Sequence, residues 1–113
     1  MIKRKAQMTE EFRTNPKGGV GDVSFTHIWS QEGAEKLNLF AVIRLEPGQS
    51  IGLHDHGVDA EAMYVLSGTP SILDDGETYV LEPGDATYCT GGHTHSLFNP
   101  TNEPASVLAV VMK

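Results

Sequence analysis

The stretch that decides the fold is residues 48–68, GQSIGLHDHGVDAEAMYVLSG. Glycines bound it, and inside it His54 and His56 stand one residue apart, with Glu61 shortly after them. Side chains on a β-strand alternate between its two faces, so His54 and His56 point to the same side and can reach one ion. A turn after His56 would return the chain and bring Glu61 in from the adjacent strand. The stretch therefore predicts a metal site built on two neighbouring strands.

A second stretch, residues 84–99, reads GDATYCTGGHTHSLFN and supplies a further imidazole, His95. His95 is far from Glu61 along the chain, so it must come from a different hairpin. The glycines at 48, 68, 84 and 92 allow the tight bends that aim these strands, because glycine adopts positive φ at no steric cost. We expect the two stretches to meet at one site.

Together the two stretches resemble the paired motifs of the cupin superfamily across residues 48–99. One position departs from the pattern, because Thr90 stands where the family usually has proline. The resemblance implies a small all-β protein with a double-stranded β-helix, or jelly-roll, barrel. It also implies a metal site of three histidines and one glutamate, formed here by His54, His56, Glu61 and His95.

The remaining pattern agrees with an all-β fold, because short alternating segments are separated by Gly, Pro and Asp turns. Strands are predicted over residues 23–29, 39–45, 51–56, 62–66, 86–90, 96–99 and 106–112, with a hairpin turn at 74–76, a loop at 15–22 and a short helical turn at 31–37. At 113 residues the chain is one domain, 1–113. We divide it into an N-terminal strand and loop segment, 1–21, and the barrel, 22–113.

Composition excludes several classes of partner. The net charge is −7, from eight basic and fifteen acidic residues, and basic residues are consecutive only at 3–5, so nucleic acid is a poor candidate for a partner. The longest apolar run, 107–112, is far too short to span a membrane, and no signal peptide precedes the fold. Cys89 is the single cysteine, which excludes an intrachain disulfide and fits a cytoplasmic location. A small-molecule ligand is the expected partner.

Mixed imidazole and carboxylate ligands suit Mn, Fe, Co, Ni, Cu or Zn, so we expect one divalent transition metal per chain. Four protein ligands leave coordination positions open for water or substrate on an ion that prefers five or six. Open positions permit Lewis-acid chemistry, a bound hydroxide or, with iron, oxygen chemistry.

Five further residues are candidates for the pocket. His93 precedes His95 closely; an exposed rim histidine is the simpler interpretation, and a catalytic acid–base role is the alternative. Met63 and Val65 share the strand parity of Glu61, and Leu97 and Asn99 share that of His95. We therefore predict that these last four side chains line the pocket beside the metal.

Two other residues could carry chemistry, although packing explains both. Cys89 is predicted to be a small buried hydrophobic residue, and a thiol facing the metal is the alternative. His27 shares the parity of Val23, Phe25 and Trp29, so we predict a histidine of the barrel wall rather than a ligand.

The charge inventory narrows the function. Only Arg44 among the basic residues lies in a predicted barrel strand, so the pocket is expected to be short of cations. This favours a small neutral, phenolic or monoanionic ligand that binds the metal directly. The four ligands with open coordination positions favour a metal-dependent oxidoreductase (dioxygenase) or lyase. A non-catalytic module that binds a small ligand or senses metal is the alternative, and a sugar-phosphate isomerase, which would need Arg44 inside, is the third. Residues 1–8 are predicted to swap or add a strand in a homodimer and so to cover a sheet edge.

Overall fold

The protein folds into two antiparallel β-sheets that share one core. The structure, a computed structural model, describes residues 1–30 and 33–113, and within them it contains ten strands and two short 3₁₀ turns. The strands are β1 (Thr9–Thr14), β2 (Asp22–His27), β3 (Leu37–Leu45), β4 (His54–Asp55), β5 (Ala60–Ser67), β6 (Ser71–Asp74), β7 (Glu77–Val80), β8 (Ala86–Thr90), β9 (Thr94–Phe98) and β10 (Ala105–Met112). The 3₁₀ turns cover Lys5–Gln7 and Pro16–Gly18.

The larger sheet has six strands in the order β1-β2-β3-β10-β5-β8, and the smaller has four in the order β4-β9-β6-β7. Neighbouring strands pair antiparallel throughout both sheets. The predicted all-β jelly roll is therefore confirmed. Within the described residues, no helix is long and apolar enough to cross a lipid bilayer.

The core lies between the inner faces of the two sheets. Along β10 every second residue is buried, so Val107 and Ala109 point inward while their neighbours are partly exposed. This is the period-two alternation of a strand with one face in the core. Ile72 and Leu97 of the smaller sheet are buried in the same cluster, which joins the two sheets.

The N-terminal segment packs against the barrel next to residues 48–68, the stretch that contains His54, His56 and Glu61. Strand β1 pairs with β2 of the same chain and forms one edge of the larger sheet. The turn after it packs on Gly52, whose N–H donates to the carbonyl of Pro16 at 3.0 Å. A Cβ at Gly52 would lie 2.0 Å from the carbonyl oxygen of Lys17, so only glycine fits there. Residues 9–18 are thus held against the chain that leads into His54.

The predicted turns agree with the structure in most places. Asp75 and Gly76 both have positive φ between β6 and β7, which is the geometry of a two-residue hairpin turn. The glycines at 48, 68, 84 and 92 also have positive φ. Residues 31 and 32 of the predicted helical turn 31–37 lie outside the described residues, and Leu37 already belongs to β3.

Candidate metal centre

Four side chains converge where the two sheets meet. His54 on β4 is the register partner of His95 on β9, and Glu61 reaches them from β5 of the other sheet. One ligand atom from each of these three residues and one from His56 lie within 4.8 Å of one another. The Nε2 atom of His95 lies 3.1 Å from that of His54 and 3.0 Å from that of His56. All four residues predicted as ligands are therefore brought together.

The hydrogen bonds of two rings decide which nitrogen faces the centre. Nδ1 of His54 lies 2.7 Å from the carbonyl oxygen of Gly52, which can only accept, so Nδ1 carries the proton. Nδ1 of His56 lies 2.8 Å from a carboxylate oxygen of Asp59, which accepts in the same way. Burial lowers the pKa of His54, which favours its neutral form. Both rings therefore present an Nε2 lone pair to the centre.

Glu61 and His95 complete the set from deeper positions. The Nε2 atom of His95 lies 3.0 Å from Oε1 of Glu61, and the side chain of His95 is only 2% exposed. Its Nδ1 atom is buried and has no hydrogen-bond partner among residues 1–30 and 33–113. The ring is thus held through contacts of its Nε2 atom, the one that faces the other ligands.

This donor set fits a divalent transition metal. Lone pairs of neighbouring imidazoles repel one another at these separations unless a proton or a cation lies between them, and the Glu61 carboxylate adds negative charge. A metal ion bound by all four side chains would satisfy them together. Imidazole with one carboxylate is a ligand combination used for Mn, Fe, Co, Ni, Cu and Zn. The cluster could therefore hold such an ion.

Asp59 and Asn38 support the site, and neither was identified from the sequence. While Oδ1 of Asp59 accepts from His56, its Oδ2 accepts from Nδ2 of Asn38 at 3.1 Å. A carboxylate behind a metal-binding histidine fixes the ring and raises its basicity. The spacing of Asp59 three residues after His56, within the turn, was the available signal. Asn38 comes from β3, and nothing in the sequence around it indicated a role at the site.

A cavity of about 430 Å³ lies beside the cluster and is lined by three of the four candidate ligands. His54, His56 and Glu61 contribute to its lining. Its other lining residues come from the N-terminal segment, the larger sheet and residues 51–59. They are Arg13, Pro16, Lys17, Phe25, Asn38, Leu39, Ile43, Ile51, Asp55, Asp59 and Val111. The cavity gives a small molecule access to the candidate centre.

The cavity contains cations that the sequence analysis did not expect. Arg13 of β1 and Lys17 of the following turn line it. Arg44, by contrast, has a side chain that is 50% exposed and is paired with Glu46 on the outside of the larger sheet. The expectation of a pocket short of cations is thus wrong, because the edge strand β1 and the turn after it supply them.

The four predicted pocket residues lie elsewhere. Met63, Val65 and Leu97 do face inward, but they are buried in the hydrophobic core and are not among the described residues that line the cavity. Asn99 is also buried, and its amide donates to the carbonyls of Leu45 and Glu103. Inward parity was therefore correct for the three apolar residues, but their depth places them in the core rather than at the cavity surface.

His93 lies on the protein surface. Its side chain is 56% exposed, and its Nδ1 atom is hydrogen-bonded to the carboxylate of Asp75, which raises the pKa of His93. It is not among the described residues that line the cavity. This position agrees with the simpler interpretation of a rim histidine, and a catalytic role for His93 stays a prediction.

Cys89 and His27 serve the packing. Cys89 is 2% exposed, and burial raises the pKa of its thiol to about 11. It is therefore a buried, protonated residue beside Glu61, its register partner on β5. His27 on β2 is partly buried and binds Glu11 of β1 at 2.7 Å, which confirms a histidine of the barrel wall.

Comparison with known proteins agrees with this geometry. A sequence model of the Cupin domain family matches residues 41–111. The oxalate-binding protein of Thermotoga maritima is 35% identical over 113 residues, covering 99% of this chain and 93% of that protein.

Solved structures show the same fold. The crystal structure of a predicted oxalate decarboxylase from Thermotoga maritima superposes with a TM-score of 0.92 at 35% identity, covering 99% of this chain and 98% of that one. A sugar phosphate isomerase of the cupin superfamily from Silicibacter pomeroyi gives a TM-score of 0.72 at 26% identity, covering 80% of this chain and 59% of that one.

Proposed function

The chain belongs to the cupin family, and from that premise we propose that it binds one divalent transition metal ion and, through the metal, a small organic acid such as oxalate. His54, His56, Glu61 and His95 would hold the ion. The observation that carries the proposal is the convergence of these four donors, three of which, His54, His56 and Glu61, line a cavity that a small molecule can enter. The similarity to an oxalate-binding protein along nearly the whole chain supports the ligand class.

Among the neutral, phenolic and monoanionic ligands expected from the sequence, the cavity favours the anionic ones, and it no longer disfavours a dianion. That expectation depended on a pocket without cations, whereas Arg13 and Lys17 line the cavity. Guanidinium and ammonium groups favour carboxylates through charge-assisted hydrogen bonds. A small acid fits both the metal and the cationic part of the wall.

A lyase is the second candidate function. It is favoured by the similarity, at 35% identity, to a structure described as a predicted oxalate decarboxylase. In such a reaction the C–C bond of hydrogen oxalate breaks, carbon dioxide leaves, and the remaining carboxylate carbon takes the proton to give formate. The metal would supply Lewis-acid polarisation of the bound acid. The chain's own part is to orient the acid with the cavity wall and to keep the metal accessible; an oxidoreductase reaction stays a prediction.

The test begins with metal content and continues with ligand binding. Purified protein loaded with Mn²⁺ should hold about one ion per chain, and calorimetry should show oxalate binding that disappears after treatment with a chelator. His95→Ala should lose both. Oxalate binding that persists unchanged in the metal-free protein would contradict the proposal. Release of formate and carbon dioxide in equal amounts would support the lyase, and binding without release would support a non-catalytic module.

The isomerase hypothesis loses its main support. It required Arg44 inside the barrel to bind a phosphate group. Arg44 instead lies on the outer face, hydrogen-bonded to Glu46 at 2.8 Å. The likeness to a sugar phosphate isomerase covers 59% of that protein and supports the fold.

We also propose a homodimer, as expected from the sequence. Met1 and Ile2 are exposed apolar residues beyond the edge strand β1, and a partner chain would remove them from water. Light scattering should then give twice the chain mass, and a truncation that removes residues 1–8 should weaken the association. A monomer at all working concentrations would contradict the dimer. A cytoplasmic location, proposed from the single cysteine, is checked by cell fractionation.

A further inference from the structure

We propose that Arg13 is a specificity residue that binds the carboxylate of a small dicarboxylate ligand remote from the metal. The inference rests on the proposed function and adds to it a ligand class, dianions over monoanions, and the residue that selects it. It starts from the position of Arg13 on β1, outside the part of the chain that matches the family model, residues 41–111.

Arg13 lies on the inner face of the larger sheet. It pairs with Val23, and Glu11 pairs with Phe25, in the register of β1 and β2. Val23 and Phe25 are both buried, so their partners Glu11 and Arg13 turn toward the same inner side. From there Arg13 lines the cavity that also contains His54, His56 and Glu61.

Two contacts hold the guanidinium in place. Its central carbon, Cζ, lies 4.4 Å from the centre of the Phe25 ring, which is within the range of a cation–π interaction. Its Nε atom donates to Oε1 of Glu11 at 3.0 Å. The Arg13 side chain is 43% exposed, so these contacts hold it without burying it. A group held in advance loses less conformational entropy when it binds a ligand.

Glu11 is itself anchored. Its Oε1 atom also accepts from Nε2 of His27 at 2.7 Å, and His27 is partly buried on β2. The hydrogen bonds from His27 and from Arg13 lower the pKa of Glu11, so its carboxylate is ionised at neutral pH. The two hydrogen bonds, from His27 to Glu11 and from Arg13 to Glu11, therefore fix the direction of the guanidinium.

The remaining donors of Arg13 are available to a ligand. The contacts above use only Nε and the ring face, and neither terminal nitrogen has a partner among residues 1–30 and 33–113. A guanidinium presents its N–H groups in a planar fork that matches a carboxylate in a bidentate way. Lys17 lines the same cavity and adds positive charge nearby.

The acidic groups on the cavity wall do not remove this preference for anions. Glu61 belongs to the metal ligands, and Asp59 accepts from His56 and Asn38. Asp55 accepts from the backbone N–H of Gly57. A monocarboxylate bound to the metal has no second anionic group for Arg13, whereas a dicarboxylate does. Arg13 should therefore increase the affinity for dicarboxylates selectively.

The test compares two arginines with the same local pairing. Arg13→Met keeps an unbranched apolar side chain on Phe25 but removes the donors. Arg44→Met is the matched control, because Arg44 also donates through Nε to a glutamate two residues away, on the outer face. Calorimetry on the Mn²⁺-loaded proteins would measure the dissociation constants of oxalate, malonate and acetate. Arg13→Lys, which keeps the charge without the planar fork, is the second variant.

Removing charge-assisted hydrogen bonds from a partly exposed group should weaken dicarboxylate binding by about tenfold or more in Arg13→Met. Acetate binding should change by less than about threefold, and Arg44→Met should behave as wild type. Arg13→Lys should fall between wild type and Arg13→Met for oxalate.

Each other result has a distinct meaning. Wild-type protein that holds metal but binds no carboxylate would overturn the proposed function itself. Dicarboxylate binding unchanged in Arg13→Met, or weakened in equal proportion to acetate, would overturn only the role of Arg13. If Arg13→Met does not fold, Arg13→Lys decides: oxalate affinity equal to wild type would overturn the role of the guanidinium fork.

Discussion

The hydrogen bond from His56 to Asp59 should increase the affinity of the protein for metal by an amount that can be measured. Asp59 does not belong to the candidate metal cluster; it accepts from Nδ1 of His56 at 2.8 Å and from Asn38 at 3.1 Å. Removing the carboxylate therefore leaves all four ligand side chains in place. Any loss of affinity would come from the orientation, the protonation or the basicity of one imidazole.

The magnitude follows from the contacts. Loss of a partner behind a metal-bound histidine typically weakens metal binding by about 10–100-fold, which corresponds to about 1.4–2.7 kcal/mol. Asp59→Asn can keep a hydrogen bond through its amide oxygen but loses the charge, so we expect about tenfold. Asp59→Ala leaves Nδ1–H of His56 without an acceptor in a ring that is 9% exposed, so we expect the upper part of the range.

The assay is a titration with Zn²⁺ or Co²⁺ in competition with a chelator of known affinity, at a pH where the histidines are neutral. Asp75→Asn is the matched control, because Asp75 also accepts from Nδ1 of a histidine, His93, but on the protein surface. It should leave the metal affinity unchanged. A dissociation constant for Asp59→Ala within about twofold of wild type would refute the reasoning.

Three further results are expected. When the free metal concentration is about 100-fold above the dissociation constant, metal should stabilise the wild-type protein by about 2.7 kcal/mol. Calorimetry should show this as a rise in Tm on the order of 10 °C, and His95→Ala should show no such rise. Cys89 should resist alkylation at pH 8, because it is buried and its thiol pKa is raised to about 11; rapid labelling of the folded protein would contradict this. Asn99→Ala should lower the free energy of unfolding in urea by about 2–4 kcal/mol, because the carbonyls of Leu45 and Glu103 lose their donor, and an unchanged midpoint would contradict that role.

Strand parity predicted the direction of several side chains but not their depth. Met63 and Val65 turn inward with Glu61, as expected, and all three are buried. Glu61 nevertheless reaches the metal cluster, whereas Met63 and Val65 pack in the hydrophobic core. Parity says which face of a sheet a residue occupies. Whether that face meets the opposite sheet or a cavity depends on the packing between sheets.

The hydrogen-bonding partners of the site were equally hard to read from the chain. The closeness of Asp59 to His56 in sequence was the available signal, but a carboxylate in a turn is common, so the spacing did not single Asp59 out. Asn38 lies on β3, and it contacts Asp59 only because the fold brings β3 next to the turn after His56. Such contacts join residues that are distant along the chain.

By itself the sequence determined the four candidate metal ligands and the all-β fold. The candidate site follows from a local pattern, because only a few neighbouring strands have to pair for the four side chains to meet. His54 and His56 are one residue apart, Glu61 follows after a turn, and His95 comes from a later hairpin. The tertiary structure alone decided which cation faces it. Arg13 and Arg44 each pair with a glutamate two residues away. From the sequence, only Arg44 was placed in a predicted barrel strand, and its face stayed undecided. The pairing of strands decides their faces, because Arg13 lies beside Val23 on the inner face and lines the cavity, whereas Arg44 lies beside Ser24 on the opposite, outer face.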